Sequence, residues 1–391
     1  MTFQEVKNQL NQNIMPSYSR FDVALVSGHN ATAQDCEGKE YIDFTSGIGV
    51  NSLGYCDAKW AKAVADQAAT LQHISNLYYN PVQTKLAETL CKLTGFSKVF
   101  FGNSGAEANE CAIKIARKYG TEMYGSEHNE IVTLQNSFHG RTVTTLAATG
   151  QDGFHQYFTP FTQGFSYAET NMDSVKKQVG KNTCAVFIEL IQGEGGVLPL
   201  APDFVKELSA FCKERDILLM IDEVQTGVGR TGALYCYQNY GIEPDIITSA
   251  KGLAGGLPMG ACLCTERLGT VLGAGMHGST FGGNPVVCAG ALAVLERVGS
   301  DDFMAEVRKK GKYFTEKLME LDGVELVRGM GMMLGVKLKK NNAKEIAVKC
   351  AENGLLVLTA KDMLRFLPPL TISYAEIDKG LAILAQVIQP S

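Results

Sequence analysis

Asp222 and Lys251 stand 29 positions apart, each ending a short apolar run, and an acid and an amine so placed can act on one ligand. Asp222 closes Ile217-Leu218-Leu219-Met220-Ile221, and Lys251 follows Asp245-Ile246-Ile247-Thr248-Ser249-Ala250. Runs this short and branched, bounded by turn residues, predict buried strands of a mostly parallel sheet. Ligands of open α/β sheets bind beyond the carboxyl ends of the strands, so both side chains are expected in one crevice. The layout suits pyridoxal phosphate, which takes a lysine for its Schiff base and a carboxylate for its pyridine nitrogen. A carboxylate at a buried strand end is costly unless compensated, so Asp222 is expected to have a cationic partner.

Four further segments carry residue types that fit such a crevice. Gly102-Asn103-Ser104-Gly105-Ala106-Glu107-Ala108-Asn109 follows a strand-like run and opens helical spacing. Small residues there let the backbone approach an anion, and free N–H groups at a helix start favour a phosphate. The same residues also read as a plain capped helix, with Ser104 as N-cap and Glu107 completing a capping box. In Ser137-Phe138-His139-Gly140-Arg141-Thr142, the aromatic can stack on a flat ring and the arginine can fork onto a carboxylate, although Phe138 alone reads as a core residue. Glu189-Leu190-Ile191-Gln192-Gly193-Glu194-Gly195-Gly196 ends a strand in a glycine-rich loop and brings Glu194 to the same sheet edge. His277-Gly278-Ser279-Thr280-Phe281-Gly282-Gly283-Asn284-Pro285 is a loop of small and hydroxyl residues before a helix, either a further phosphate contact or a turn.

One segment is a decoy. Gly227-Val228-Gly229-Arg230-Thr231-Gly232 matches the dinucleotide fingerprint letter by letter. Glu223 to Thr226 separate it from the preceding strand and no helical period follows Gly232, so nicotinamide binding is not expected.

These segments need elements to position them. A short amphipathic helix is expected from Glu5 to Met15, then a strand meander from Ala24 to Tyr41, then helices from Trp60 to Leu71 and Thr84 to Leu93. Between Val99 and Thr265 strands and helices alternate, which predicts a doubly wound sheet. After about Leu295 two or three helices mix with short strands, Leu334–Lys337 and Leu355–Leu358. At 391 residues the chain is long enough for two domains. The expected division is a segment 1–50 contributing to a small domain, a large domain 51–295, and the C-terminal small domain 296–391.

Composition narrows the function classes. With 45% hydrophobic and 20% charged residues, the chain is ordinary for a soluble globular protein, and a net charge of −5 argues against a nucleic-acid partner. No stretch approaches the length of a membrane span. Met1 to Lys7 lack the layout of a secretory signal and no arginine precedes Arg20, so a cytoplasmic location is expected. The 11 cysteines are scattered and odd in number, which fits buried free thiols better than a disulfide framework. Cys262 and Cys264 form C-x-C without zinc-like company, so no metal site is expected.

Taken together, these segments resemble the class III (ω-amino acid) aminotransferases of fold type I. The match runs from Asp43-Phe44-Thr45-Ser46-Gly47-Ile48 to Arg365-Phe366-Leu367-Pro368-Pro369-Leu370. The resemblance implies an α/β fold with a large mostly parallel-sheet domain and a smaller α+β domain, pyridoxal 5'-phosphate as cofactor, and ping-pong half-reactions. It implies Lys251 as the Schiff-base lysine and Asp222 as the acid at the pyridine nitrogen. Val224 and Phe138 are implied on the two ring faces, Gln225 at the phenolic oxygen, and Ser104, Gly105 and Ala106 at the phosphate. Thr280 is implied to reach the phosphate of the neighbouring subunit, hence a homodimer with shared active sites. Arg141 is similar to the arginine binding the donor's carboxylate and Arg365 to the one taking the 2-oxoglutarate α-carboxylate, with Ser279 also assigned to substrate. Glu194 resembles the acid that covers that arginine in one half-reaction and releases it in the other. The activity implied first is transfer of the δ-amino group of N2-acetylornithine to 2-oxoglutarate, in arginine biosynthesis. The alternative is the same chemistry on ornithine, succinylornithine, N-succinyldiaminopimelate or 4-aminobutyrate.

Overall fold

The computed structural model describes residues 1–340 and 342–388, so 341 and 389–391 of the expected C-terminal part lie outside the described residues. The first helix, Phe3–Asn13, is closed by a capping box between Thr2 and Glu5 and buries no residue, as its sparse apolar positions imply. The expected meander follows as β1 (Leu25–His29), β2 (Thr32–Asp35) and β3 (Glu40–Asp43), paired antiparallel in sequence order.

The central sheet is built from β4 (Lys98–Gly102), β5 (Glu130–Leu134), β6 (Phe165–Ala168) and β7 (Thr183–Ile188). After a small ribbon of β8 (Ile191–Gln192) and β9 (Leu198–Pro199), it gains β10 (Leu218–Asp222), β11 (Ile246–Ser249) and β12 (Gly260–Cys264). The spatial order is β4-β12-β11-β10-β7-β5-β6. Only β12 runs against its neighbours; the pairs from β11 to β6 are parallel. Every residue of β7, β10, β11 and β12 is buried, because helices cover both faces of such a sheet. Continuous apolar runs, with no polar alternation, are the result.

The C-terminal part holds a second sheet, in order β13 (Val324–Met330), β14 (Met333–Leu338), then β17 (Met363–Phe366) and β16 (Leu358–Ala360). The two-residue strand β15 (Leu355–Leu356) instead pairs parallel with β3, so residues from both ends of the chain share one four-stranded sheet. Phe44, just after β3, locks this junction: it is fully buried and its ring lies 4.9 Å from Phe314 and 5.5 Å from Phe366. The Gly227–Gly232 segment ties the central sheet to the C-terminal part. Its buried Arg230 donates Nη1 to the carbonyls of Met332 at 3.1 Å and Pro368 at 2.5 Å. That segment is a packed turn: a Cβ at Gly229 would stand 2.8 Å from Met304 and Val298 atoms.

Phe44→Ala is expected to cost about 3–5 kcal/mol, since the tightly packed rings around it cannot close the cavity. A urea titration should show a lower midpoint; an unchanged midpoint would remove Phe44 as the lock.

Candidate active site

Register across the central sheet decides which side chains meet. Ile221 of β10 stands opposite Ile188 of β7, and Asp222 opposite Thr248 of β11. The three carboxyl ends therefore lie level, with Glu189 next after β7, Asp222 last on β10 and Lys251 two residues beyond β11. All three line one cavity of about 430 Å³. Ser104, Gly105, Ala106, Phe138, Arg141, Val224 and Gln225 line it too.

Asp222 is 4% exposed and three donors converge on it. Asn109 Nδ2 donates to Oδ2 at 2.8 Å, His139 Nδ1 to the same oxygen at 2.9 Å, and the Val224 N–H to Oδ1 at 3.0 Å. A carboxylate only accepts, so the imidazole proton sits on Nδ1. The direct partners are thus a histidine, an amide and a backbone N–H, where a cationic partner is expected. The His139 ring is stacked on Phe187 at 4.2 Å, which fixes its plane. His139 and Asn109 carry no role in the sequence reading, although both lie inside quoted segments; the usable signal was that a buried acid needs donors.

Lys251 has φ 42°, a left-handed conformation that a residue with a Cβ rarely holds without support. Burial lowers its amine pKa, and the Arg365 charge lowers it further. Glu189, also missed, is buried and accepts from the N–H groups of Phe138 at 2.9 Å and Gly193 at 3.4 Å. Burial and the Asp222 charge push its carboxyl well above the ordinary range.

The helix Gly105–Tyr124 starts at the opposite cavity wall. Ser104 Oγ accepts from the Glu107 N–H at 3.2 Å, so the N-cap reading holds. The Glu107 carboxylate turns back to the Asn103 N–H at 3.0 Å, one residue before the N-cap. The first N–H groups of a helix have no intrahelical acceptor, which leaves those of Gly105 and Ala106 to the cavity. Space there is made by glycine: a Cβ at Gly105 would stand 2.7 Å from Val224 Cγ1.

Arg365 and Glu194 adjoin this cavity as an ion pair, Nη1 to Oε1 at 2.5 Å. Arg365 Nη1 also reaches Gln225 Oε1 at 3.3 Å. Arg365 is 3% exposed, whereas the Glu194 side chain keeps 30%, so the acid is the partner with room to move. Arg141 is exposed at the rim, its guanidinium 4.2 Å from the Phe154 ring centroid and 5.6 Å from that of Phe138. Ser279 Oγ accepts from Asn103 Nδ2 at 3.0 Å, beside the cavity, while Thr280 on the same loop is exposed and does not line it.

The family profile described as Aminotransferase class-III matches residues 14–388. The chain belongs to the class III aminotransferases. It is 47% identical to the acetylornithine aminotransferase of Haemophilus ducreyi, over 99% of both chains. To that of Aquifex aeolicus it is also 47% identical, over 96% of this chain and 99% of the relative. Among solved structures, N-acetylornithine aminotransferase from Stenotrophomonas maltophilia superposes with a TM-score of 0.84 at 34% identity, covering 97% and 98% of the two chains. Ornithine aminotransferase from Toxoplasma gondii ME49 gives 0.95 at 29% identity, covering 99% and 95%.

Class III aminotransferases are pyridoxal-phosphate enzymes, and the residues present fit that group. The cavity joins a lysine of lowered pKa, a carboxylate held by three donors, an open helix start and a glycine gap beside Val224.

Glu223, next to Asp222, is buried and accepts from Thr226 Oγ1 at 2.5 Å and the Tyr237 N–H at 2.7 Å. Burial raises its pKa from 4.5 to about 7. Between those values the folded protein binds a proton that the unfolded chain lacks, so this group's contribution to stability falls as pH rises through the window. Glu223→Gln should flatten the fall in Tm between pH 4.5 and 7; an identical Tm profile in both proteins would refute the assignment.

Proposed function

We propose that the protein transfers the δ-amino group of N2-acetylornithine to 2-oxoglutarate, as a cytoplasmic homodimer with shared active sites serving arginine biosynthesis. The observation that carries the donor is the end-to-end similarity, at 43–47% identity, to relatives named acetylornithine aminotransferase. The cavity supports an acylated donor, because Val50, Leu257, Pro258 and Met259 line it with apolar surface.

When bound, pyridoxal phosphate supplies a carbonyl carbon for the amino group and a ring that draws electrons from the carbon losing its proton. The chain's residues do the rest. Lys251 would hold the cofactor, and its amine, uncharged more readily than a free lysine, would carry a proton at the substrate carbon. Asp222, fixed by its three donors, would hold the pyridine nitrogen. The backbone N–H groups of Gly105 and Ala106, with Ser104 beside them, would hold the phosphate, and Phe138 and Val224 would bind the ring. Gln225 would bind the phenolic oxygen.

Arg141 takes the donor's carboxylate, with Ser279 also on the substrate side. Arg365 takes the α-carboxylate of 2-oxoglutarate. Glu194 covers Arg365 while the donor is bound, so that an unpaired buried cation does not face a neutral chain, and swings away for the dicarboxylate.

The dimer is supported by an exposed apolar patch. Leu77 is 88% exposed, Tyr78 71%, Tyr79 103% and Phe281 60%. Asn76 Nδ2 joins the two strips by donating to the carbonyls of Ser279 and Gly282, each at 3.0 Å. Such a patch calls for a partner surface, and the exposed Thr280 next to Phe281 would reach a neighbour's phosphate across it. Free thiols throughout support the cytoplasm: all 11 cysteines are unpaired. Among the described residues no helix is long and apolar enough to cross a membrane.

Ornithine itself is the second donor, favoured by the TM-score of 0.95 to an ornithine aminotransferase. The deciding test is the visible spectrum of the purified holoenzyme on adding N2-acetylornithine without keto acid. Bleaching of the yellow cofactor by that amine, absent in Lys251→Ala, is the expected result; bleaching by ornithine alone would transfer the assignment to ornithine.

Arg365→Ala is expected to slow the 2-oxoglutarate half-reaction by about 100-fold, the loss of a charge-assisted contact. The amine half-reaction should change far less, and equal losses in both halves would contradict the Glu194 switch.

A further inference from the structure

The Glu194–Arg365 pair is held by a second arginine. Arg328 of β13 stands opposite Gly335 of β14, and Gly335 opposite Arg365 of β17. Directly opposed residues share a face of the sheet, so the row reads arginine, glycine, arginine. The loop that carries Glu194 lies across the gap in this row. A Cβ on Gly335 would stand 2.8 Å from Val197 Cβ and 3.3 Å from the Gly196 carbonyl oxygen. On one side Arg365 grips the Glu194 carboxylate. On the other, Arg328 donates Nε at 3.0 Å and Nη2 at 2.7 Å to the carbonyl of Gly196.

The main chain at and just after the second grip is strained. Gly196 has φ 108°, open only to glycine, and the buried, β-branched Val197 has φ 53°. Backbone of this kind persists only where its surroundings over-determine it. The Val197 N–H donates to the Gly193 carbonyl at 3.3 Å, and Gly193 in turn donates to Glu189 Oε2. The fork from Arg328 reaches this loop from β13, the strand farthest from Arg365 in the row.

We infer that Arg328, working with the side-chain gap at Gly335, is a positioning residue for substrate selection: it anchors the Glu194 loop so that covering Arg365 is the resting arrangement. This rests on the proposed switch of Glu194. With the main chain fixed at Gly196, only the Glu194 side chain needs to order itself to make the pair. Without the anchor, pairing must also order the loop, and the population shifts toward an uncovered Arg365. An uncovered Arg365 favours dicarboxylic amino acids and disfavours donors whose far end carries no second carboxylate.

The readout is a ratio. In half-reactions of the holoenzyme followed by cofactor absorbance, the specificity constant for N2-acetylornithine is divided by that for glutamate. Arg328→Met, which keeps the stem and removes the fork, should lower this ratio about tenfold, the low end for losing a charge-assisted contact because Arg328 acts on the loop and not on substrate. Arg328→Lys, with one donor restored, should recover part of it. Gly335→Ala, which drives a methyl into Val197, should shift the ratio the same way, and Glu194→Gln marks the limit reached when the cover is lost. A merely structural role would lower both constants together; that result, or an unchanged ratio in Arg328→Met, overturns the inference. The ratio is taken with whichever ω-amine the wild type accepts, so failure of the donor assignment leaves this test intact.

Discussion

Removing the Asp222 carboxylate from water is the constraint around which the site is organised. An ionised carboxylate at the end of a buried strand is tolerable only when its lone pairs are occupied, and here three donors from three different segments converge on it. Asn109 comes from the helix behind the phosphate-type turn, His139 from the loop after β5, and Val224 from the residue pair following the strand itself. Each donor is in turn fixed: Asn109 spends its other N–H on the His139 carbonyl at 2.7 Å, and the His139 ring lies flat on Phe187. Satisfying one acid thereby sets the relative positions of the helix start, the Phe138 wall and the β10 edge.

A second layer of organisation comes from outside the central sheet. Arg365 lies 171 residues from Glu194 in sequence, and β17 brings the two together at the cavity's flank. That approach depends on the closure of the small sheet, where β15 joins β3 and Phe44 packs between Phe314 and Phe366. The charge that lowers the Lys251 pKa is the same guanidinium that we propose meets a dicarboxylate. On that proposal, lysine basicity and substrate choice are coupled through the packing of two chain regions.

Left-handed backbone occurs at several residues with side chains, and two of them belong to this site: Lys251 at φ 42° and Val197 at φ 53°. Lys251 lines the cavity and Val197 lies in the loop that carries Glu194, where such backbone persists only if its surroundings over-determine it. The glycines of the dinucleotide-like segment do different work, letting backbone pack against Met304, Val298 and Arg308. A letter pattern without its strand-to-helix context carries no phosphate site.

Much of this was legible in the residue order, and the reasons are local. Apolar runs bounded by turn residues located the other strands of the central sheet to within a residue or two at the ends, because strands buried on both faces must be apolar throughout, but not the half-buried edge strand β6. The placement of Lys251 and Asp222 at strand ends, and of Glu194 in a loop at that edge, followed, since side chains there share the carboxyl edge whatever the strand order. What only the tertiary structure decided depends on distance through space: that His139 and Asn109, not a lysine or arginine, satisfy Asp222; that Glu189 is buried beside it; and that Arg328, Gly335 and Arg365 stand in one row. Those contacts join segments tens to hundreds of residues apart, and strand pairing and rotamer packing, which set them, leave no trace in local periodicity.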